Sequence, residues 1–317
     1  MSQHHDGATL TLVVNPSAGR GRAAKLLPSV TAALVAGLPN GSLKVISTTD
    51  WADSKRHCEE VVAAAAEESG VDGRFDSLVV MGGDGMMHLG LNAAAQTQVP
   101  LGVIPGGRGN DFCRGVGVGT DPLAAVQTIL AGHLRRIDLA SVSGKLVDGS
   151  EHRWVGCIVS TGFDGRVGYR ADQMKRSYGG LEYVVATLAE LRSFEPLAYR
   201  MIVDGVRREQ TAMFIAVGNA AYYGGGMQAC PNADLNDGLL DLTVINPVSR
   251  ATLLRLLPSM FTGGFVKDPA AELLRAKEVV LDGDGLYAMA DGEELGPVPV
   301  TVRAVRDALS IYVPGPQ

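Results

Sequence analysis

Apolar residues occur along the first 140 positions in short blocks, and segments with apolar residues at helical spacing lie between these blocks. Several blocks end at Gly, Asn or Pro, and the first predicted strand closes at Asn15-Pro16. The predicted strands are 10–14, 42–49, 76–85, 100–107 and 134–142. The predicted helices begin near Arg22 and cover 53–68, 86–96 and 121–133. Strands that alternate with helices at short spacing favour a parallel sheet of βαβ units.

The pattern changes near residue 140, where strand-like segments separated by Gly, Asn and Asp become the rule. These segments are 152–164, 197–220, 239–248, 277–283, 286–295 and 308–314. Two helical stretches, near 179–193 and 250–261, interrupt them. Such a β-rich half predicts a sandwich. The chain therefore divides into an α/β domain over 1–140 and a β-sandwich domain over 141–302, and we expect 303–317 to return to the first domain because a terminal strand needs a sheet to pair with.

Composition narrows the class of protein. The chain has 317 residues, 46% of them hydrophobic and 20% charged, which is typical of a globular protein with a real core. A formal charge of -6 argues against a nucleic-acid partner. Cys58, Cys113, Cys157 and Cys230 form no C-x-x-C pair, so we expect reduced, mostly buried thiols rather than zinc ligands or disulfides. No signal peptide and no apolar run near the ~20 residues of a membrane span is visible, so we predict a cytoplasmic protein that meets lipid from the aqueous side.

Three glycine-rich turns follow predicted strands of the first domain: 15–21 (NPSAGRG), 82–85 (GGDG) and 105–111 (PGGRGND). Glycines let main-chain N–H groups approach phosphate oxygens, and a following helix N-terminus adds positive potential. Arg20, Arg22 and Arg108 offer side-chain charge to the same phosphates. A single turn of this kind is explained equally well as an empty βα connection, whereas three at strand ends favour a phosphate site. None of them is a P-loop or a Rossmann fingerprint.

Asp84 stands alone among glycines that would admit a polyphosphate. A carboxylate beside a phosphate is repulsive unless a cation lies between them. We therefore predict that Asp84 binds Mg²⁺, directly or through water.

Several motifs together resemble the soluble lipid kinases of the bacterial diacylglycerol kinase family, in its actinobacterial branch. They are VVNPSAGRGRA, MGGDG, GVIPGGRGNDFCR, STGFD, YGGG, CPNADLNDGLLDL and ADGE, in the expected order from about Leu10 to Val313. That family is related to sphingosine kinases and, in its nucleotide domain, to NAD kinases. The resemblance implies a nucleotide-binding α/β domain, a β-sandwich domain and an active site in the cleft between them.

The resemblance also implies roles for individual residues. The predicted ATP contacts are Asn15, Pro16, Ser17, Ala18, Gly19, Arg20, Thr48, Gly82, Gly83, Asp84, Gly85, Met86, Gly107 and Arg108. The implied catalytic residues are Glu293, Asp291, Asp84, Asp111 and Asp138. Glu293 is the implied general base, because a lipid hydroxyl must lose its proton as it attacks the γ-phosphorus. A structural Mg²⁺ is implied on the Asp237 side chain and the main-chain oxygens of Asp234 and Leu239.

Two positions depart from the family pattern, which has Thr where this chain has Met86 and Arg108. Arg108 offers a charged donor of different geometry from a hydroxyl. Met86 offers no side-chain donor, so its main-chain amide must suffice.

Other positions have simpler explanations. Strand alternation places Asp291 and Glu293 on one face and Glu294 on the other. We expect Asp241 to face solvent and His88 to lie on a helix surface. The helix near 179–193, preceded by Arg166, Arg170, Lys175 and Arg176, is predicted either to pack on the sandwich or to meet anionic headgroups.

The predicted function is an ATP- and Mg²⁺-dependent lipid kinase, with diacylglycerol as substrate and phosphatidic acid as product. A membrane lipid at the bilayer surface is the expected partner, and peripheral association with the inner face of the membrane is the expected location. The family includes dimers, so a homodimer is one expected state. The alternatives are a kinase of a sphingoid base or glycolipid, a NAD kinase, and a nucleotide- or lipid-binding regulator without catalysis.

Overall fold

The computed structural model describes residues 8–38, 42–68, 76–162 and 195–315. The strands in these ranges are β1 (Thr9–Val14), β2 (Ser42–Ser47), β3 (Ser77–Gly82), β4 (Leu101–Pro105), β5 (Leu134–Gly144), β6 (His152–Val155), β7 (Ile158–Gly162), β8 (Leu197–Val203), β9 (Val206–Ala212), β10 (Phe214–Gly218), β11 (Tyr222–Tyr223), β12 (Met227–Gln228), β13 (Leu240–Ile245), β14 (Ala271–Ala276), β15 (Glu278–Asp282), β16 (Tyr287–Ala290), β17 (Glu293–Pro297) and β18 (Val300–Tyr312). The helices are α1 (Ala18–Gly37), α2 (Trp51–Glu68), α3 (Asp84–Ala94), α4 (Asp111–Gly115), α5 (Pro122–Ala131) and α6 (Arg250–Met260), with a 3₁₀ turn at Gly264–Lys267.

The first compact unit consists of Met1–Leu139 with Arg306–Gln317. Its strands lie in the order β2-β1-β3-β4, all parallel, and the end of β18 pairs in parallel with β4 through Ile311 and Leu101. Every residue of β3 and β4 is buried, as expected for parallel strands covered on both faces. The helices pack in two pairs, α2 with α3 and α1 with α5.

The strand order of this unit reverses between β1 and β3, because the chain leaves β1 toward β2 and then returns past it to β3. Right-handed crossovers then put α1 on one face of the sheet and α2 and α3 on the other. A reversal of this kind opens a crevice at the carboxyl ends of the strands, where ligands of α/β proteins bind. The turns after β1 and β3 border that position.

The second unit is Ala140–Val305. One antiparallel sheet has the order β14-β13-β10-β7-β16-β17, and the first part of β18 pairs with β15, β15 with β8 and β8 with β9. A single apolar core draws side chains from both sheets, among them Val159, Ile215, Tyr199, Val279 and Val302. Two sheets over one core form the predicted sandwich.

Most predicted elements coincide with observed ones within a few residues. Strand β14 was not predicted, and the last predicted strand, 308–314, is the end of a strand that begins at Val300. The predicted helix near 179–193 and the basic residues before it lie outside the described residues. The four cysteines are buried and form no disulfide. None of the helices in the described ranges combines the length and apolar character that crossing a bilayer requires.

Candidate active site

The three glycine-rich turns of the first unit touch one another through their main chains. A Cβ atom at Gly19 would lie 2.4 Å from the carbonyl oxygen of Gly106, and one at Gly107 would lie 2.3 Å from the Cα of Gly83. The main-chain N–H groups of Gly106 and Gly107 both donate to Gly82 O, at 2.7 and 2.9 Å. Side chains would therefore push the turns apart, and glycine lets their main chains pack in one layer, in which Gly82, Gly106 and Gly107 are buried.

The turn after β1 makes an unusual start to α1. Gly19, Arg20 and Gly21 have positive φ of 60°, 61° and 83°, so regular helix begins only at Arg22. Asn15 Oδ1 accepts hydrogen bonds from the N–H and the hydroxyl of Ser17, at 3.0 and 2.6 Å, and fixes the beginning of the turn. Successive left-handed residues turn main-chain N–H groups toward one side, an arrangement that binds anions.

The turn after β4 is held by Asn110, which the sequence analysis did not single out. Asn110 is buried, has a φ of 54°, and forms two hydrogen bonds of 3.1 Å to Gly107, donating to its carbonyl and accepting from its N–H. Arg22 Nη1 donates to the same carbonyl at 3.1 Å. Asn is one of the few non-glycine residues that adopt this conformation readily. A G-N-D triplet after a buried strand is the signal that would have pointed to it.

The carboxylate of Asp84 joins the second turn to the third. Its oxygens accept hydrogen bonds from the main-chain N–H groups of Asn110 at 2.8 Å and Asp111 at 2.6 Å. Burial raises the pKa of Asp84, and hydrogen bonds from the N–H groups of Asp111, Asn110 and Phe112 act in the opposite direction. Asp84 therefore positions the third turn, whatever else it binds.

Asp84 and Asp111 approach the same point beside Gly109. A Cβ there would lie 2.5 Å from Asp84 Oδ2 and 3.4 Å from Asp111 Oδ2. Two neighbouring carboxylates are stabilised by a cation or by a shared proton. Each carboxylate oxygen has a second lone pair beyond the one that a main-chain N–H uses. This donor set fits a divalent cation.

The remaining predicted nucleotide contacts fall into three groups. Arg20, Arg108 and Ser17 are exposed, and Pro16, Ala18 and Gly85 are partly buried. Met86 is buried against Gly82, and its N–H donates to Gly83 O at 3.0 Å, so its side chain belongs to the core. Thr48 is buried at the end of β2, where its hydroxyl donates to Val14 O at 3.1 Å and lies 2.7 Å from the Ser54 hydroxyl. A buried position accounts for an apolar residue at 86.

Asp138, a predicted catalytic residue, lies on β5 and is buried. Its Oδ1 accepts a hydrogen bond of 2.9 Å from the N–H of Asp307, whose φ is 51°. Arg136 donates to Asp307 O from Nε and Nη2, at 3.0 and 2.7 Å. This contact gives Asp138 a role in holding the returning C-terminal strand.

In the second unit, Asp291 and Gly292 form the two-residue turn between β16 and β17, with φ of 50° and 84°. Two positive φ values are typical of a type I′ hairpin. The Asp291 carboxylate accepts hydrogen bonds from the N–H groups of Gly156, Cys157 and Ile158, at 2.8, 2.9 and 3.1 Å. Glu293 is the first residue of β17, partly exposed, and Glu294 is exposed.

The alternation argument for Asp291 and Glu293 is therefore wrong, because alternation holds only within a strand and Asp291 lies in the turn. The two residues are related through the turn instead. Asp291 binds the turn to the N–H groups of residues 156–158, and Glu293 is the first strand residue after that turn.

The predicted metal turn lies before β13. Asp237 Oδ1 accepts from the N–H of Leu239 at 2.9 Å, and Asp237 Oδ2 pairs with Arg275 of β14. Asp234 Oδ1 accepts from the N–H of Asn236 at 3.0 Å. No cluster of three or more His, Cys, Asp or Glu side chains suited to a metal occurs among the described residues. The predicted site has one carboxylate and two main-chain carbonyl ligands, so it does not require such a cluster.

Asp241 is buried rather than solvent-facing, so that expectation was wrong. Its Oδ2 has no hydrogen-bond partner in the described part of the chain, and Arg275 Nε lies 3.5 Å away. Burial, and then the charge of Asp234, raise the pKa of Asp241 to about 6. The orphaned oxygen and the excess of negative charge fit a cation at this turn. Arg275, whose positive charge offsets part of that negative charge, was not predicted because it lies on the unpredicted strand β14.

His88 is also buried, not on a helix surface, and it stacks on Trp51 with ring centroids 6.3 Å apart. The prediction was wrong because α3 packs against α2 as well as the sheet, which covers most of its circumference.

Comparisons with known proteins agree with this architecture. Residues 9–142 match the model of the diacylglycerol kinase catalytic domain, and residues 157–313 match that of the YegS C-terminal NAD kinase beta sandwich-like domain. A protein of Mycobacterium tuberculosis named diacylglycerol kinase is 36% identical over 98% of this chain and 97% of its own length. A Stenotrophomonas maltophilia protein named probable lipid kinase YegS-like is 30% identical over 82% of this chain and 85% of its own.

Solved structures show the same fold. A structure described as a diacylglycerol kinase from Bacillus anthracis matches 99% of this chain and 98% of its own with a TM-score of 0.71 and 20% identity. Yeast NADH kinase matches 98% of this chain and 84% of its own with a TM-score of 0.50 and 11% identity.

Proposed function

The chain belongs to the diacylglycerol kinase family of lipid kinases, and on that basis we propose that it transfers the γ-phosphate of ATP to the free hydroxyl of diacylglycerol to give phosphatidic acid. The resemblance seen in the sequence is thus confirmed, and the chain is an enzyme, a lipid kinase. The choice of diacylglycerol as substrate is supported by the M. tuberculosis relative, which is named diacylglycerol kinase and is similar along nearly the whole chain.

The observation that carries the proposal is the contact among the three glycine-rich turns at the carboxyl ends of β1, β3 and β4. A surface of bare main chain beside a helix N-terminus binds phosphate groups. Arg20 and Arg108 are exposed on two of these turns, and Arg22 is fixed on the carbonyl of Gly107. We assign the polyphosphate of ATP to this surface.

Kinases of this kind use a divalent cation to neutralise phosphate charge during transfer. Asp84 and Asp111 are the residues that would hold it, and the main-chain N–H bonds to Asp84 fix their geometry in advance. The turn of Asp234, Asp237 and Leu239 would hold a second, structural Mg²⁺.

Glu293 is the proposed general base, which takes the proton of the lipid hydroxyl. The Asp291 carboxylate accepts three main-chain hydrogen bonds that hold the turn in place. The main chain of Glu293, which follows the turn, is therefore held in place as well. A base held in place loses little conformational entropy on reaching the hydroxyl.

Diacylglycerol stays in the bilayer because of its two acyl chains, and ATP is a cytoplasmic metabolite. We infer that the enzyme works in the cytoplasm and associates peripherally with the inner face of the membrane.

The test is incubation with γ-labelled ATP and a total lipid extract, followed by identification of the labelled lipid. Purified diacylglycerol, a sphingoid base and NAD are compared as acceptors. Label in phosphatidic acid, lost in Glu293→Gln, is the expected result. Label in another lipid would redirect the substrate assignment, and label in NAD alone would contradict it.

A further inference from the structure

Trp51 is the first residue of α2, three positions after Thr48 at the carboxyl end of β2, and 45% of it is exposed. One ring face stacks on His88, with centroids 6.3 Å apart and an interplanar angle of 23°. An indole that is half exposed at a strand end beside a phosphate surface calls for an explanation, because large aromatic rings are normally covered or used in binding.

The support under the indole is rigid. His88 is 5% exposed, the Asn92 amide nitrogen lies 3.3 Å from its Nε2, and the same amide donates to the His88 carbonyl at 2.9 Å. His88 is one helical turn after Asp84, about 6 Å along α3. Trp51 is thereby tied to the helix whose N-terminus carries the second glycine turn.

The start of α2 does not depend on Trp51. Asp50 Oδ1 accepts from the N–H of Asp53 at 2.9 Å, and Asp53 Oδ2 accepts from the N–H of Thr49 at 3.0 Å. These reciprocal bonds complete the capping of the helix without the indole.

Charge separates this position from the phosphate surface. Asp50 and Asp53 flank Trp51, whereas Arg20, Arg22 and Arg108 belong to the glycine turns. Asp53 is paired with Arg56 at 2.6 Å, so the Asp50 carboxylate is the group that repels a polyphosphate near Trp51, whereas the arginines of the turns attract it. The neutral base is therefore the part of a nucleotide that fits beside Trp51.

We propose that Trp51, supported by His88, is the residue on which the adenine ring of ATP stacks, and that it adds base affinity to a site whose turns bind only phosphate. This role rests on the proposed use of ATP. Base–aromatic stacking is sequence-tolerant, because every base has a π-face. Trp51 is thus expected to favour nucleotides over inorganic polyphosphate more than one base over another.

The experiment compares binding of ATP and of inorganic tripolyphosphate, which has no base, to the full chain by calorimetry. Trp51→Ala should weaken ATP binding about tenfold and leave tripolyphosphate binding unchanged. Trp51→Phe should retain most of the ATP affinity. Leu123→Ala, at a similarly exposed apolar residue of the same unit, is the matched control and should change neither. Unchanged tripolyphosphate binding also shows that each variant is folded.

A second measurement uses the two tryptophans of the chain, Trp51 and Trp154. In Trp154→Phe the remaining emission comes from Trp51, and ATP should quench it whereas tripolyphosphate should not. Equal ATP affinity in Trp51→Ala and wild type, or equal loss for both ligands, would overturn the stacking role alone. A wild-type chain that binds neither ligand would overturn the proposed ATP site and the stacking role together.

Discussion

Asp84 shows how one carboxylate can do two things in a site of bare main chain. Its oxygens accept hydrogen bonds from two main-chain N–H groups of the third turn. They also lie, with the Asp111 carboxylate, beside Gly109. A residue in that position cannot be changed without moving the turn. Loss of activity alone therefore does not identify it as a metal ligand.

Asp84→Asn tests this double role. The substitution replaces one acceptor oxygen by an NH₂ group that faces a main-chain donor, so at least one charge-assisted hydrogen bond is lost, at a cost of about 2 kcal/mol. We expect a lower melting temperature, weaker tripolyphosphate binding and nearly abolished turnover. Asp121→Asn is the matched control, because Asp121 caps α5 by accepting from the Leu123 N–H and Asn caps a helix as well as Asp. Lost turnover with an unchanged melting temperature would show that Asp84 acts through its charge alone.

Glu293 and Glu294 provide a comparison between neighbours. Glu293→Gln should lose ~10²- to 10⁴-fold in turnover, the range typical of a general base, while ATP affinity stays the same. Glu294→Gln should be nearly silent, because this exposed side chain leaves β17 on the other face. The measurement is kcat at saturating ATP and diacylglycerol. A greater loss at Glu294 would refute the assignment of the base.

At the scale of elements, the hairpin turn between β16 and β17 depends on a single carboxylate. Asp291→Asn weakens the contact with the N–H groups of residues 156–158, so the turn loosens and Glu293 is less well positioned. We expect a loss of turnover between those of the two glutamate variants, together with a lower melting temperature. Asp204→Asn, at a turn carboxylate of the same unit that accepts from the N–H groups of Lys277 and Glu278, serves as control. A stable Asp291→Asn variant as inactive as Glu293→Gln would instead favour direct participation of Asp291 in the reaction.

The turn before β13 also depends on a carboxylate, that of Asp237, which binds Arg275 of β14 and the Leu239 N–H. Asp237→Ala should lower the melting temperature even without Mg²⁺, because Arg275 loses its closer carboxylate and the Leu239 N–H loses its acceptor. Added Mg²⁺ should raise the melting temperature of wild type and not that of the variant, since a ligand stabilises only a protein that binds it. Asp234→Ala should keep the Mg²⁺ effect, because the predicted ligand there is a main-chain oxygen. A Mg²⁺ effect that survives in Asp237→Ala would refute the site.

At the scale of the whole molecule, the chain ends in the unit where it began. Tyr312 Oη lies 2.7 Å from the Ser77 hydroxyl, Ile311 pairs with Leu101, and the Asp307 N–H reaches Asp138. A chain that stops at residue 305 should lose tripolyphosphate binding, because β4 becomes an uncovered edge. Tyr312→Phe removes the hydrogen bond to the Ser77 hydroxyl and should cost about 1 kcal/mol of unfolding free energy, measured by denaturant titration. Full binding by the shortened chain would contradict this dependence.

Local pattern was enough to predict the fold class. Hydrophobic periodicity is a property of neighbouring residues, so the strands and helices of the first unit and the β-rich second half were visible before any contact was known. Glycine-rich turns at strand ends located the candidate phosphate surface for the same reason. Strand β14 escaped because it is an edge strand in which Glu272 and Arg275 interrupt the apolar pattern.

Partners distant in the chain were decided only by the tertiary structure. Asp84 meets residues 110 and 111, Asp138 meets Asp307, and Asp291 meets 156–158, and no local pattern encodes these pairs. The burial of Asp241 and His88 likewise depends on which strand or helix packs beside them. The sequence by itself determined the elements and the chemical groups at their ends, because both are local. Packing decided which carboxylates hold a turn, because that depends on groups brought together from remote parts of the chain.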